Sequence, residues 1–235
     1  MKASLKGIEN LEIYSDNSKA SRKVMTLPLL RILGHEVSKS PWSENSKRVF
    51  WTVCCMAFFG SFRLGELLPF MENHYCPEDS FLWEDVRVLQ ADHVLVHIKT
   101  PKGAKKGGDF VDLFPVPFAG LCPVAALRGL KSSVNPSGKS LVFQFSSGKC
   151  LTPRTFTSTV QTLLAVHIGE SSKEISSHSF RAAIPSALAK FPELTSSNEI
   201  MGWGRWKSEA YLCYTRLKQD QREKIFSKII TSLSL

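Results

Sequence analysis

The stretch from Ser46 to Phe59 constrains this 235-residue chain more than any other, because it is apolar on nearly all sides of a helix. A helix with one polar face lies on a surface, whereas one without such a face must be surrounded by protein. The segment is therefore expected to be the buried axis of a sizeable core. Its apolar run, Val49 to Phe59, covers eleven residues, well short of the roughly 20 that cross a bilayer. No membrane span is expected. Gly60 interrupts the helix just before Arg63, and Leu27 to Leu33 begins an earlier one.

Between Glu84 and Phe114 the periodicity changes. Val86/Val88, then Val94/Val96/Ile98, then Val111/Leu113 alternate with period two, as three short strands of an antiparallel sheet do. The last two are joined by Lys99 to Asp109, KTPKGAKKGGD, a basic loop with four lysines and three glycines. Beyond Cys122 the pattern is helical again: Pro123 to Lys131, Pro153 to Ile168 with its proline at the start, Phe180 to Lys190, and pieces around Tyr211 and Arg222 to Leu233. The expected fold class is α+β, mainly α-helical, with one small three-stranded antiparallel sheet. No internal repeat is visible. Residues 27–235 read as one domain, with residues 1–26 as a polar arm or linker.

Thirty basic against twenty-one acidic residues give a net charge of +9 and a pI near 9.3, which suits a polyanionic partner. The N-terminus has a lysine but no following apolar stretch, so it does not read as a secretory signal, and an intracellular location is expected. The six cysteines, at 54, 55, 76, 122, 150 and 213, show no C-x-x-C spacing and no companion histidine pair. They are expected to be reduced thiols, mostly buried, with neither a zinc site nor a disulfide framework.

Four pieces carry reactive or anion-binding side chains. In chain order they are Arg63 in SFRLGELL, the lysine loop, His178 and Arg181 in HSFR, and Tyr214 in WGRWKSEAYLCYTRL. Each is weak alone, and the reading rests on their order and spacing. If they converge, two guanidiniums hold the non-bridging oxygens of one phosphodiester by forked, charge-assisted hydrogen bonds. They also offset the charge that builds in a pentacoordinate transition state. A tyrosine then attacks phosphorus. Its reference pKa of about 10 calls for a base or a strong positive field, and His178 is the candidate. The departing sugar 5′-oxygen needs a proton, which Lys102 or Lys99 is placed to deliver. The chain has no G-x-x-x-x-G-K-[ST] loop and no tight acidic cluster for paired magnesium ions, so no cofactor and no metal are expected.

With these boxes the sequence resembles the tyrosine recombinases, and looks closest to the enzymes of eukaryotic mobile elements of the DIRS and Crypton type. The resemblance runs from about Thr26 to the end. FFGSFRLGELL is similar to the segment bearing the family's first catalytic arginine, which implies that role for Arg63, with Glu66 in support. VLVHIKTPK is similar to the strand and turn bearing the catalytic lysine, implying Lys102, with Lys99 as the alternative. HSFR resembles the H-x-x-R box and implies His178 and Arg181. WGRWKSEAYLCYTRL resembles the terminal box, implying Tyr214 as nucleophile. The family's L-G-H triplet reads W-G-R here, so the third-box position falls on Trp206 or Arg205.

The resemblance implies the tyrosine recombinase catalytic-domain fold, with residues 1–26 as the arm from a core-binding domain. It further implies DNA cleavage and rejoining through a covalent 3′-phosphotyrosyl intermediate. The implied partner is double-stranded DNA, touched by Lys99, Lys102, Lys105 and Lys106, with the protein a homo-oligomer of two to four copies on it, in the nucleus if the host is eukaryotic. Three rival readings stand beside it: a type IB topoisomerase, a domesticated DNA-binding module without strand transfer, and a generic basic RNA-binding protein. The blander readings of single residues are an ordinary i, i+3 pair for Arg63 and Glu66 and a solvated hairpin tip for the lysine loop. Trp203 and Trp206, at helical i, i+3 spacing, also read as core, and Tyr211 as a packing residue. The apolar face of the last helix, Ile225, Phe226, Ile229 and Ile230, reads as core or as a docking surface for a neighbouring protomer.

Overall fold

The computed structural model describes residues 23–89, 93–99, 107–188, 195–205 and 219–233. The first helices are α1 (Leu27–Lys39), α2 (Glu44–Phe59) and the single turn α3 (Leu64–Leu67). Three strands follow, β1 (Val86–Val88), β2 (Val94–Ile98) and β3 (Asp109–Leu113). Then come α4 (Pro123–Val134), α5 (Pro153–Ile168), α6 (Ser177–Arg181), α7 (Ala183–Leu188), α8 (Ser197–Gly204) and α9 (Gln219–Leu233). Side-chain oxygens start most of the longer helices. Thr26, Ser43 and Thr152 each accept from the backbone N–H three residues on, satisfying donors that a helix start leaves without partners.

The expected central helix is α2. From Val49 to Phe59 every residue but Trp51 is buried, with α1, α4, α6 and α7 packed around it. Its one buried polar side chain in that run, Thr52, donates back to the Arg48 carbonyl at 2.7 Å. Aromatic rings fill the space between helices, Phe50 lying 4.9 Å from Phe156 and Phe156 5.3 Å from Phe180.

The three strands pair antiparallel in the order β1-β2-β3, with Val86 opposite Val96, Val94 opposite Leu113 and Val96 opposite Val111. That register puts Val86, Val94, Val96, Ile98, Val111 and Leu113 on one buried face, and a slip of one residue would expose all of them. Gly108, at φ +76, completes the return into β3, where a Cβ would sit 2.4 Å from the Ile98 carbonyl oxygen.

One feature departs from the sequence reading, and two others sharpen it. The helix expected from Phe180 to Lys190 is two helices, α6 and α7, meeting at Ala182. Pro185 has no N–H to donate to the Arg181 carbonyl, so it fits only in the first turn of a new helix. The described end of the polar arm is docked: Met25 is buried, and its N–H donates to the Ser179 carbonyl at 3.0 Å. The apolar face of α9 is occupied by the chain's own core, with Ile225, Phe226 and Ile229 buried and Phe226 stacked 6.1 Å from Trp203. Of the two readings of that face, core packing within the chain is the one seen among the described residues. Among the described residues no helix is long and apolar enough to cross a membrane. Of the cysteines, 54, 55 and 150 are buried thiols, Cys122 is half-buried and caps α4, and Cys76 is exposed. Cys213 lies outside the described residues.

Candidate active site

The site begins where α2 ends. At Gly60 a Cβ would come 2.3 Å from the Phe62 ring and 2.9 Å from Leu113, so only glycine allows the chain to turn this close to the sheet. Ser61 follows in the left-handed region at φ +49, fully buried, a backbone state that costs a residue other than glycine about 1–3 kcal/mol. The turn aims the Ser61 carbonyl at two arginines. Arg181 Nη1 donates to it at 2.8 Å and Arg205 Nη2 at 3.2 Å.

Arg63 sits at the N-cap of α3, where its backbone N–H donates to Glu66 Oε2 at 2.8 Å and its Nη1 to Oε1 at 2.9 Å. The expected i, i+3 pair is therefore present, but Glu66 is no surface residue: its side chain is 4% exposed. Arg205 ends α8 in a left-handed C-cap at φ +50. Its guanidinium donates to Glu66 Oε2 at 2.6 Å and lies over the Phe62 ring, 5.0 Å from the centroid. Arg181, on α6, lies 3.8 Å from the same carboxylate oxygen. Three guanidiniums from three separate segments thus surround one buried carboxylate, leaving the cluster with a net charge of about +2.

The arginines differ in what they present. Arg181 is 2% exposed, and its Nη2 donates to the Gly204 carbonyl and, at 3.4 Å, to that of Arg205. Burial, then the positive charges of Arg205 and Arg63, lowers its pKa to about 9, with Glu66 opposing. A guanidinium with that pKa is still charged at neutral pH. Arg63 is 34% exposed and lines an open cleft of about 750 Å³. His178, in the first turn of α6 and exposed, lines the same cleft, as do Phe70, Met71 and Tyr75 from the loop after α3.

Lys99 ends β2 close by. Its Nζ donates to the Pro77 and Ser80 carbonyls at 3.0 and 3.2 Å and pairs with Asp85 at 3.0 Å and Glu84 at 3.5 Å. Asp85 is buried, accepting from the Leu82 N–H at 2.9 Å and lying 3.2 Å from His97 Nδ1. Glu66, Asp85 and Lys99 all line one narrow crevice.

Of the residues singled out in the sequence, Arg63, Glu66, Arg181 and Arg205 are brought together, His178 lines the cleft with Arg63 and Glu66, and Lys99 lines the narrow crevice. Lys102, Lys105, Lys106, Trp206, Tyr211 and Tyr214 lie outside the described residues. Three contributors escaped the sequence reading: Ser61, Phe70 and Asp85. Only Ser61 leaves a trace there, as the first residue after a glycine that ends an apolar helix. Among the described residues, no group of three or more His, Cys, Asp or Glu side chains is arranged to hold a metal ion.

This mainly helical architecture, with its small antiparallel sheet, is the tyrosine recombinase catalytic-domain fold. Two recombinases are among the solved structures that share it. One is the XerH site-specific recombinase bound to its difH substrate in a pre-cleavage complex, with a TM-score of 0.53 and 16% identity over 92% of this chain and 62% of that one. The other is the FLP recombinase–Holliday junction complex, with a TM-score of 0.51 and 12% identity over 94% of this chain and 49% of that one. The likeness is one of fold, and the chain spans less than two thirds of either recombinase. No protein-family model matches the sequence, and no curated protein matches it.

Proposed function

We propose that the chain is a DNA strand-transfer enzyme of the site-specific recombinase kind. The observation that carries this reading is the Glu66 cluster: one buried carboxylate gathers Arg63, Arg181 and Arg205, with Arg63 and Glu66 lining an open cleft, on a fold shared with recombinases. A surplus of fixed positive charge, set before any ligand arrives, is what a phosphodiester needs as its charge rises in the transition state. Arg63 faces the cleft and holds a non-bridging oxygen. Arg205 and Glu66 hold Arg63 and Arg181 in place.

In the proposed reaction the Tyr214 oxygen attacks phosphorus, the phosphorus–O5′ bond breaks, and a 3′-phosphotyrosyl bond forms. The tyrosine proton passes to His178, and the leaving 5′-oxygen takes a proton from Lys102 or Lys99. Attack by a 5′-hydroxyl reverses each step and rejoins the strand, so the phosphodiester energy is kept and neither metal nor nucleotide takes part. If Lys99 is the acid, it must leave its pairing with Asp85. Double-stranded DNA is the proposed partner, with assembly into a dimer or tetramer on it, and the sequence boxes support a mobile-element origin of the DIRS or Crypton type.

One observation favours a second reading, a DNA-binding module without strand transfer. Arg181 donates to three main-chain carbonyls, so in this arrangement its guanidinium serves the fold and not the cleft. The two readings separate on a nicked duplex library that traps covalent intermediates, followed by denaturing gels and mass spectrometry. The enzyme reading expects an adduct on Tyr214 that Tyr214→Phe abolishes. DNA binding with no adduct from the wild-type chain refutes strand transfer by this chain and leaves the binding module.

A further inference from the structure

Phe70 is 80% exposed and Met71 63%, adjacent in the chain and both lining the cleft that Arg63 and His178 line. A ring this exposed on a soluble surface costs solubility and so calls for a reason. It is not at a frayed tip. Two residues on, the Glu72 carbonyl accepts from the Cys150 N–H at 2.7 Å and its carboxylate from the Thr155 hydroxyl at 3.3 Å, which pins the loop to the start of α5. The ring itself lies against α3: a Cβ on Gly65 would be 3.1 Å from Phe70 Cζ. Phe70 is thus seated over the turn that Arg63 begins, against Gly65 two residues after Arg63.

We infer that Phe70 is a stacking platform for an unpaired nucleobase next to the phosphate held at Arg63. This deepens the proposed function and rests on it. The occupant is argued from charge and shape. The cleft is lined by the one-third-exposed Arg63 and by His178, and also by Phe70, Met71 and Tyr75, so a guanidinium and an imidazole share it with two aromatic rings and a thioether. Of the acidic residues lining it, Glu66 is taken up by three arginines, leaving Asp79. A nucleotide is the ligand that carries an anion and a flat aromatic face a few ångströms apart. A base still paired in a duplex presents only its edges to a protein, so the base on Phe70 is one that has left the helix, as at a nick, gap or junction.

The test compares binding of a mixed-sequence gapped duplex with that of the same duplex fully paired, for wild type, Phe70→Ala, Phe70→Trp and Arg63→Ala. Wild type is expected to prefer the gapped duplex, Phe70→Ala to lose that preference by about 5- to 100-fold, and Phe70→Trp to keep it. Photocrosslinking of 5-iodouracil in the gap should map to the segment carrying Phe70. Because Phe70 is so exposed, its thermal unfolding midpoint should stay that of wild type. If Arg63→Ala weakens binding while Phe70→Ala changes nothing, the stacking inference is wrong and the phosphate site stands. If wild type binds neither DNA, both fall. If Phe70→Ala leaves DNA binding intact but abolishes self-association, the surface belongs to a second copy of the chain, and the inference is likewise overturned.

Discussion

Glu66 and Asp85 are both buried carboxylates, each collecting cations from other segments of the chain, and both line one narrow crevice. Around Asp85 the charges balance. Lys99 is set against both Asp85 and Glu84, so even with His97 counted as charged the cations do not outnumber the acids. Around Glu66 they do not balance: three guanidiniums meet one carboxylate. Folding alone gives no reason to crowd three like charges around a single buried carboxylate. The Asp85 centre reads as a structural staple between β2 and the segment before β1, and the Glu66 centre as a site that stays electropositive for a ligand.

The sharpest way to break this contrast is to neutralise each carboxylate. Glu66→Gln leaves three guanidiniums around a neutral amide and should destabilise the fold by about 3–5 kcal/mol, the usual cost of stranding buried charge. Asp85→Asn keeps an oxygen for the Leu82 N–H and should cost about 1–3 kcal/mol. Urea unfolding of the two variants decides the matter, and equal costs would mean that the two centres are one kind of structure. Arg181→Lys comes next. An ammonium does not span the carbonyls of Ser61, Gly204 and Arg205, and the loss should be about 1–3 kcal/mol in the same assay.

Gly60→Ala probes the turn that builds the electropositive centre. Its Cβ meets the Phe62 ring and Leu113, an overpacking cost of about 1–3 kcal/mol by thermal unfolding. The smallest change in stability belongs to Arg63→Ala. A one-third-exposed i, i+3 pair contributes little, so the loss should stay within about 1 kcal/mol by urea unfolding even though the site loses its outward-facing cation.

Much of the frame was legible in the sequence, and for identifiable reasons. The Ser46–Phe59 segment has no polar face to place outside, so it had to be central, and the valines of the sheet alternate cleanly because one face only is buried. The Arg63–Glu66 contact was legible too, since residues three apart share a helix face. The rest depends on the fold closing. Arg205 reaches Glu66 across 139 residues, and Ser61 becomes an acceptor for two guanidiniums only because of a left-handed turn that no side chain announces. Pro185 divided a helix that periodicity alone ran straight through. Asp85 looked like one acid among many before β1, and its meeting with Lys99 and His97 is made by strand pairing. The choice between Arg205 and Trp206 was open in the sequence; in the structure Arg205 faces the cluster, and Trp206 lies outside the described residues.

The most direct test of the electropositive site is the salt dependence of binding to a mixed-sequence duplex, measured for wild type and Arg63→Ala. If Arg63 holds a phosphate, the variant should bind more weakly, and its slope of log affinity against log salt should be shallower by about one. An unchanged slope and affinity would contradict the account, because the cation facing the cleft would then touch no phosphate at all.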